Sequence, residues 1–95
     1  MSVISTFISL SESSMAVSNV EFKISQIQNQ IMTLTQQAQQ NLGDPQTMEQ
    51  MHVQEQQLQQ ELRGLQVEYQ ILKQRVEDDN KMSKDSVTRS FKINA

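Results

Sequence analysis

The sequence has no cysteine and no tryptophan, one proline, two glycines, one histidine and four other aromatic residues, Phe7, Phe22, Tyr69 and Phe91, in 95 residues. Each scarcity removes a class of structure. Without cysteine there is no disulfide to stabilise a short chain, and His52 has no second histidine or thiol with which to build a zinc site. A reducing compartment and an exported fold without disulfides are both compatible with this. Few aromatics means few of the large side chains that usually dominate a compact core. Long apolar runs are also missing: none approaches the roughly 18 to 20 residues that span a bilayer. The net charge is −3, and the basic residues gather only weakly toward the C-terminus, which excludes the electrostatic footprint of a nucleic-acid binder. One domain is the most that this length allows, and a chain this short rarely stabilises itself alone.

What remains is 36% apolar residues, mainly Ile, Leu, Val and Met, arranged in stripes. Between Val20 and Leu42 the apolar positions are Val20, Ile24, Ile27, Ile31, Leu34 and Ala38, separated alternately by four and three residues. That is a heptad seam, and it predicts a helix over 20–42. Continued backwards, the register takes in Val3, Leu10 and Val17, but Thr6 and Ser13 fall at the alternate seam positions. Residues 1–19 contain Ser2, Ser5, Ser9, Ser11, Ser13, Ser14 and Ser18. Serine and threonine are poor helix formers, so this segment reads as a conditionally ordered leader that frays in the free monomer. It carries no Lys or Arg and therefore does not read as a cleavable secretory signal.

The seam is interrupted once, at Gly43-Asp44-Pro45. Glycine admits the left-handed conformation that closes many helices, aspartate caps a helix N-terminus, and proline presets φ at the first helical position. The predicted turn is 43–45. Beyond it Met48, Met51, Leu58, Leu62, Leu65, Tyr69, Leu72 and Val76 recur at spacings of three and four, with Glu55 the charged member. This predicts a second helix over 46–79, and a polar tail over 80–95 in which Val87, Phe91 and Ile93 suit either a last helical turn or an extended edge. The expected fold is all-α: a two-helix, coiled-coil-like hairpin whose intramolecular seam is Ile24, Ile27, Ile31 and Leu34 against Leu58, Leu62, Leu65 and Leu72.

The second arm has a further stripe. Val53, Gly64, Val67 and Ile71 recur at helical spacing on the face opposite that seam. A helix apolar on two faces is flanked on two sides, so these residues are the expected subunit interface. Gly64 costs a mid-helix position about 1 kcal/mol relative to alanine, which a close neighbour would offset; as a tolerated surface glycine it needs no such role. Paired glutamines at 36–37, 39–40, 56–57 and 59–60 give polar, uncharged helix surfaces that suit side-by-side packing or plain solvation equally well. The methionines are flexible enough for exchangeable contacts and for gap-filling alike.

No catalytic arrangement emerges, and the chain reads as a non-enzyme without metal or cofactor. Glu77, Asp78 and Asp79 are adjacent and point in different directions on a helix, as a solvated run does. His52 and Glu55 have the spacing used in di-iron bundles but in reversed order and without a second ligand set. Tyr69 sits in the seam. Phosphate loops and nucleophile elbows are absent.

A short, cysteine-free helical hairpin with a polar leader and Asp44-Pro45 at its turn resembles the needle and filament subunits of bacterial type III secretion systems. In that family two helices flank a turn with a Pro-x-Asp-Pro signature; here the turn is Leu42-Gly43-Asp44-Pro45, with Leu42 in place of the first proline. The resemblance implies a structural subunit that assembles with copies of itself into a hollow helical tube through which other proteins are exported. It implies a cytoplasmic stage, with a chaperone and other apparatus proteins as partners, then export without a cleaved signal to the cell surface. Two alternatives stand beside it: a small helical chaperone or WXG-like hairpin that binds a partner, and a plain coiled-coil structural protein.

Overall fold

The computed structural model describes residues 2–94. It contains two α-helices, α1 (Val3–Gln40) and α2 (Pro45–Asn94), joined by a short turn. The fold is an all-α, two-helix hairpin, with no strand among the described residues. Two compact units divide it: Met1–Val20 with Glu68–Ala95, and Glu21–Val67.

In the unit Glu21–Val67, the buried face of α1 is Ile27 and Leu34, with Ile24, Ile31 and Ala38 half-buried between them. The facing stretch of α2 half-buries Met48, Met51, Glu55, Leu58, Leu62 and Leu65. Leu34 and Leu58 line the same groove between the arms, which fixes their register. Alternate spacings of three and four keep every one of these residues on the inner side of its helix.

The turn departs from expectation. Gly43 does not adopt a left-handed conformation, nor does any other of the described residues have positive φ. Instead α1 closes by tightening: the Asn41 amide donates to the Ala38 carbonyl at 3.1 Å, and the Asn41 side-chain amide donates to the Gln37 carbonyl at 2.7 Å. Two otherwise orphaned carbonyls are thereby satisfied without a glycine cap. Pro45 belongs to α2 rather than to the turn. It is the first helical residue, where its missing amide costs nothing. Asp44 is the cap, and its carbonyl accepts the first helical bond from the Met48 amide at 3.0 Å.

The other unit, Met1–Val20 with Glu68–Ala95, corrects both predicted boundaries. Residues 3–19 are helical, not a separate leader. Ser2 caps them, its Oγ accepting from the Ser5 amide at 3.1 Å and its carbonyl from the Thr6 amide at 3.1 Å. The seam continues through Val3, Thr6, Leu10, Ser13, Val17 and Val20, each buried or half-buried. Thr6 and Ser13 occupy it at little cost because each donates its hydroxyl back to a carbonyl three residues earlier, Val3 at 2.8 Å and Leu10 at 3.1 Å. Residues 80–94 are helical as well, not a polar tail. The repeat runs on past Val76 through Asp79, Ser83, Ser86 and Ser90, all buried or half-buried. Beyond Val76 small polar residues take the positions that apolar ones hold earlier in α2. Met1 and Ala95, the ends of the leader and tail, lie outside the described residues, as do the surroundings of the Ile93 side chain.

Candidate functional site: the outer helix faces

Several large apolar side chains lie exposed on the outer helix faces. In the unit Met1–Val20 with Glu68–Ala95, large apolar side chains of α1 lie outside the seam as well as in it. Thr6 is 1% exposed, whereas Ile4 is 73%, Ile8 53% and Met15 64% exposed. The seam alternates Val3, Leu10 and Val17 with the hydroxyl residues Thr6 and Ser13, while these three large side chains point to water. Ile4, Ile8, Ser11, Met15 and Ser18 follow one another at spacings of four and three, so they form one continuous stripe. Within it Ser11, Ser14, Met15, Ser18 and Asn19 line a shallow groove. Glu12 is the sole charged residue of α1 before Glu21.

A second groove of this unit runs between its helices. Phe7 from α1 meets Asn80, Ser83, Lys84, Val87 and Thr88 from α2. Ser83 is buried and its hydroxyl has no hydrogen-bond partner. Along α2, Tyr69 half-fills the seam with the Lys73 ammonium 5.8 Å from its ring centre. Arg89 and Asp85 form an exposed ion pair at 3.0 Å, a contact of small energetic weight.

The predicted seam and interface residues separate cleanly by burial. Ile27, Leu34 and Leu72 are buried, and Ile24, Ile31, Leu58, Leu62 and Leu65 half-buried. Val53, Gly64, Val67 and Ile71 are all exposed. Val53, Gly64 and Val67 lie in the unit Glu21–Val67, and Ile71 lies in the other. A side chain at Gly64 would meet nothing within 4 Å, so no neighbour inside the chain requires glycine there. In the same unit as Gly64, Phe22 and Met32 of α1 are also exposed.

Sequence reasoning therefore found one outer stripe and missed a stronger one. Within the unit Met1–Val20 with Glu68–Ala95 it is Ile4, Ile8 and Met15 at helical spacing, a signal present in the sequence but less conspicuous than the serines around it. Charge is sparse on this helix: α1 carries only Glu12, Glu21 and Lys23, while most of the remaining charge lies on α2.

At the turn, the Asp44 carboxylate accepts from the Thr47 hydroxyl and, at 3.4 Å, from the Thr47 amide. These bonds hold the Asp44 carboxyl below its ordinary range, the Thr47 hydroxyl contributing most. These bonds cap the N-terminus of α2. Among the described residues no group of three or more His, Cys, Asp or Glu side chains could hold a metal ion, and no helix is long and apolar enough to cross a membrane. The chain matches no protein-family model, no curated protein and no solved structure.

Proposed function

We propose that this protein is a structural subunit that assembles with copies of itself through the outer faces of its helices. One observation carries the reading: Ile4, Ile8 and Met15 stand in water on a nearly uncharged helix. Each large apolar side chain moved from water to an interface contributes about 1.5 to 3 kcal/mol, and leaving several exposed in a row is the mark of an interaction surface. Val53, Val67 and Ile71 add apolar surface on α2. Apolar faces on both helices allow more than one neighbour, and contacts between unlike faces give open-ended assemblies instead of closed pairs.

The finer proposal is that the assembly is the needle or filament of a type III protein secretion apparatus, reached by export without a cleaved signal. It is supported by the capped Asp44-Pro45 turn between two long helices and by the lack of cysteine. On this reading a cytoplasmic chaperone covers the outer faces before export.

Negative-stain imaging and light scattering over a wide concentration range test the proposal. Filaments, or a mass that grows with concentration, are expected. Val67→Asp and Gly64→Leu should reduce that growth while circular dichroism stays helical. A protein that remains monomeric at every concentration would refute self-assembly.

A further inference from the structure

The groove between the helices of the unit Met1–Val20 with Glu68–Ala95 has the make-up of a small-molecule site. Its volume is about 530 Å³, within the ~300 to 1,000 Å³ usual for such sites. Phe7 of α1 and Val87 of α2 supply its apolar lining and are each about half exposed. The polar lining comes from α2. Asn80, Lys84 and Thr88 follow one another at spacings of four, so a carboxamide, an ammonium and a hydroxyl stand in one row along the helix. Ser83 lines the same groove at 2% exposure, and its hydroxyl makes no bond to another protein group. A buried hydroxyl in that state costs free energy, and a ligand oxygen that accepts from it offsets the cost.

Charge narrows the class of ligand. Lys84 is the one charged residue that lines the groove, and it forms no ion pair among the described residues. The carboxylates of the same unit nearest to it in sequence or across the seam are engaged elsewhere: Asp85 is paired with Arg89, while Asp79 and Glu12 line a separate groove together with Arg75. The α1 side contributes no competing acid, because no charged residue precedes Glu12 on that helix. We propose that this groove binds a free amphipathic monocarboxylate, of the size of a medium-chain fatty acid. Its apolar chain lies along Phe7 and Val87, and its carboxylate is held by Lys84 and accepts from Ser83. A single ammonium suits a single negative charge. The Ser83 oxygen is closed over by its neighbours, and Phe7 is the wall that turns aside to admit the carboxylate, since half of that side chain already stands in water. The site lies within one chain and does not depend on self-assembly.

Octanoate, 1-octanol and octyltrimethylammonium test this as anionic, neutral and cationic probes of one chain length. Each is titrated into dilute full-length protein and followed by backbone amide chemical shifts. Octanoate should bind saturably with one-to-one stoichiometry, with shifts centred on Phe7 and residues 80–88; octanol should bind more weakly and the cation weakest. Lys84→Gln should weaken octanoate about fivefold and leave octanol unchanged. Ser83→Ala should weaken octanoate by a similar factor, about that of one hydrogen bond. Val87→Asp, at an exposed position, should abolish octanoate binding, with circular dichroism showing that the helices persist. Equal affinity for all three probes, or shifts spread over Ile4, Ile8 and Met15, would overturn the site in favour of adsorption to any apolar surface. Absence of saturable octanoate binding would overturn it outright and leave the self-assembly reading untouched.

Discussion

Ser13 and Ser83 are seam hydroxyls of the same unit, 4% and 2% exposed, yet of the two only Ser13 has a hydrogen-bond partner within the protein. The Ser13 hydroxyl donates to the Leu10 carbonyl, and the Ser83 hydroxyl makes no bond to another protein group. A buried polar group in that state costs about 1 to 3 kcal/mol.

Ser83→Ala should therefore stabilise the protein, by about 1 kcal/mol, since it removes the unpaired hydroxyl and improves helix propensity together. Urea unfolding followed by circular dichroism measures the change. Ser13→Ala is the control: it also gains propensity but removes a satisfied bond, so its gain should be smaller. Equal gains at both positions would show that burial of the Ser83 hydroxyl carries no penalty.

Asp44 should make stability depend on pH at the acidic end. Its folded-state pKa is lowered by the Thr47 hydroxyl and amide, so the carboxylate contributes stability above the ordinary aspartate range near 4, and that contribution is lost as pH falls through the lowered folded value. Asp44→Ala should melt at lower temperature than the parent at pH 7, and the difference should shrink as pH falls below the ordinary aspartate range. Thermal scans at pH 7 and at a series of acidic pH values suffice. A difference that persists unchanged into acid would mean that the cap acts through something other than the ionised carboxylate.

Ile27 and Phe22, on the same helix, should respond in opposite ways. Ile27 is buried in the seam, and Ile27→Ala should destabilise by roughly 2 to 4 kcal/mol through lost contacts and the cavity left behind. Phe22 is exposed, so Phe22→Ser should leave the unfolding midpoint of dilute protein within about 0.5 kcal/mol of the parent. Chemical denaturation at low concentration compares them. A large loss at Phe22 would place that ring in a core of the protomer.

The hairpin was legible because Ile24, Ile27, Ile31 and Leu34 announce both the helix and its buried side, and because proline after aspartate has so few uses other than opening a helix. The first eighteen residues were harder. Their seam alternates Val3, Leu10 and Val17 with Thr6 and Ser13, and the suitability of the last two depends on hydroxyls turning back to Val3 and Leu10, a local arrangement that composition does not reveal. The same difficulty hid residues 80–94, where Ser83, Ser86 and Ser90 stand at positions that Leu or Ile holds elsewhere. Gly43 misled for another reason: Asn41 closes the helix with its own side chain and removes the need for a left-handed residue. The stripe of Ile4, Ile8 and Met15 follows helical spacing in the sequence, but it is surface only because the seam of that unit runs along the other side of α1 through Val3, Thr6, Leu10, Ser13 and Val17.

The seam alternates threes and fours from Val3 to Ala38 and again from Met48 to Ser90 without a skipped step. A single inserted residue in either arm would turn everything beyond it by about 100° around the helix axis, carrying inner residues to the outside and outer ones inward. Only insertions or deletions of seven residues, made in both arms at matching heights, leave both sides of each helix in place. Any lineage that lengthens or shortens this hairpin is therefore expected to do so in paired increments of about 10.5 Å, and a relative found with an unmatched length change would have to carry a compensating bulge or a second break near Gly43.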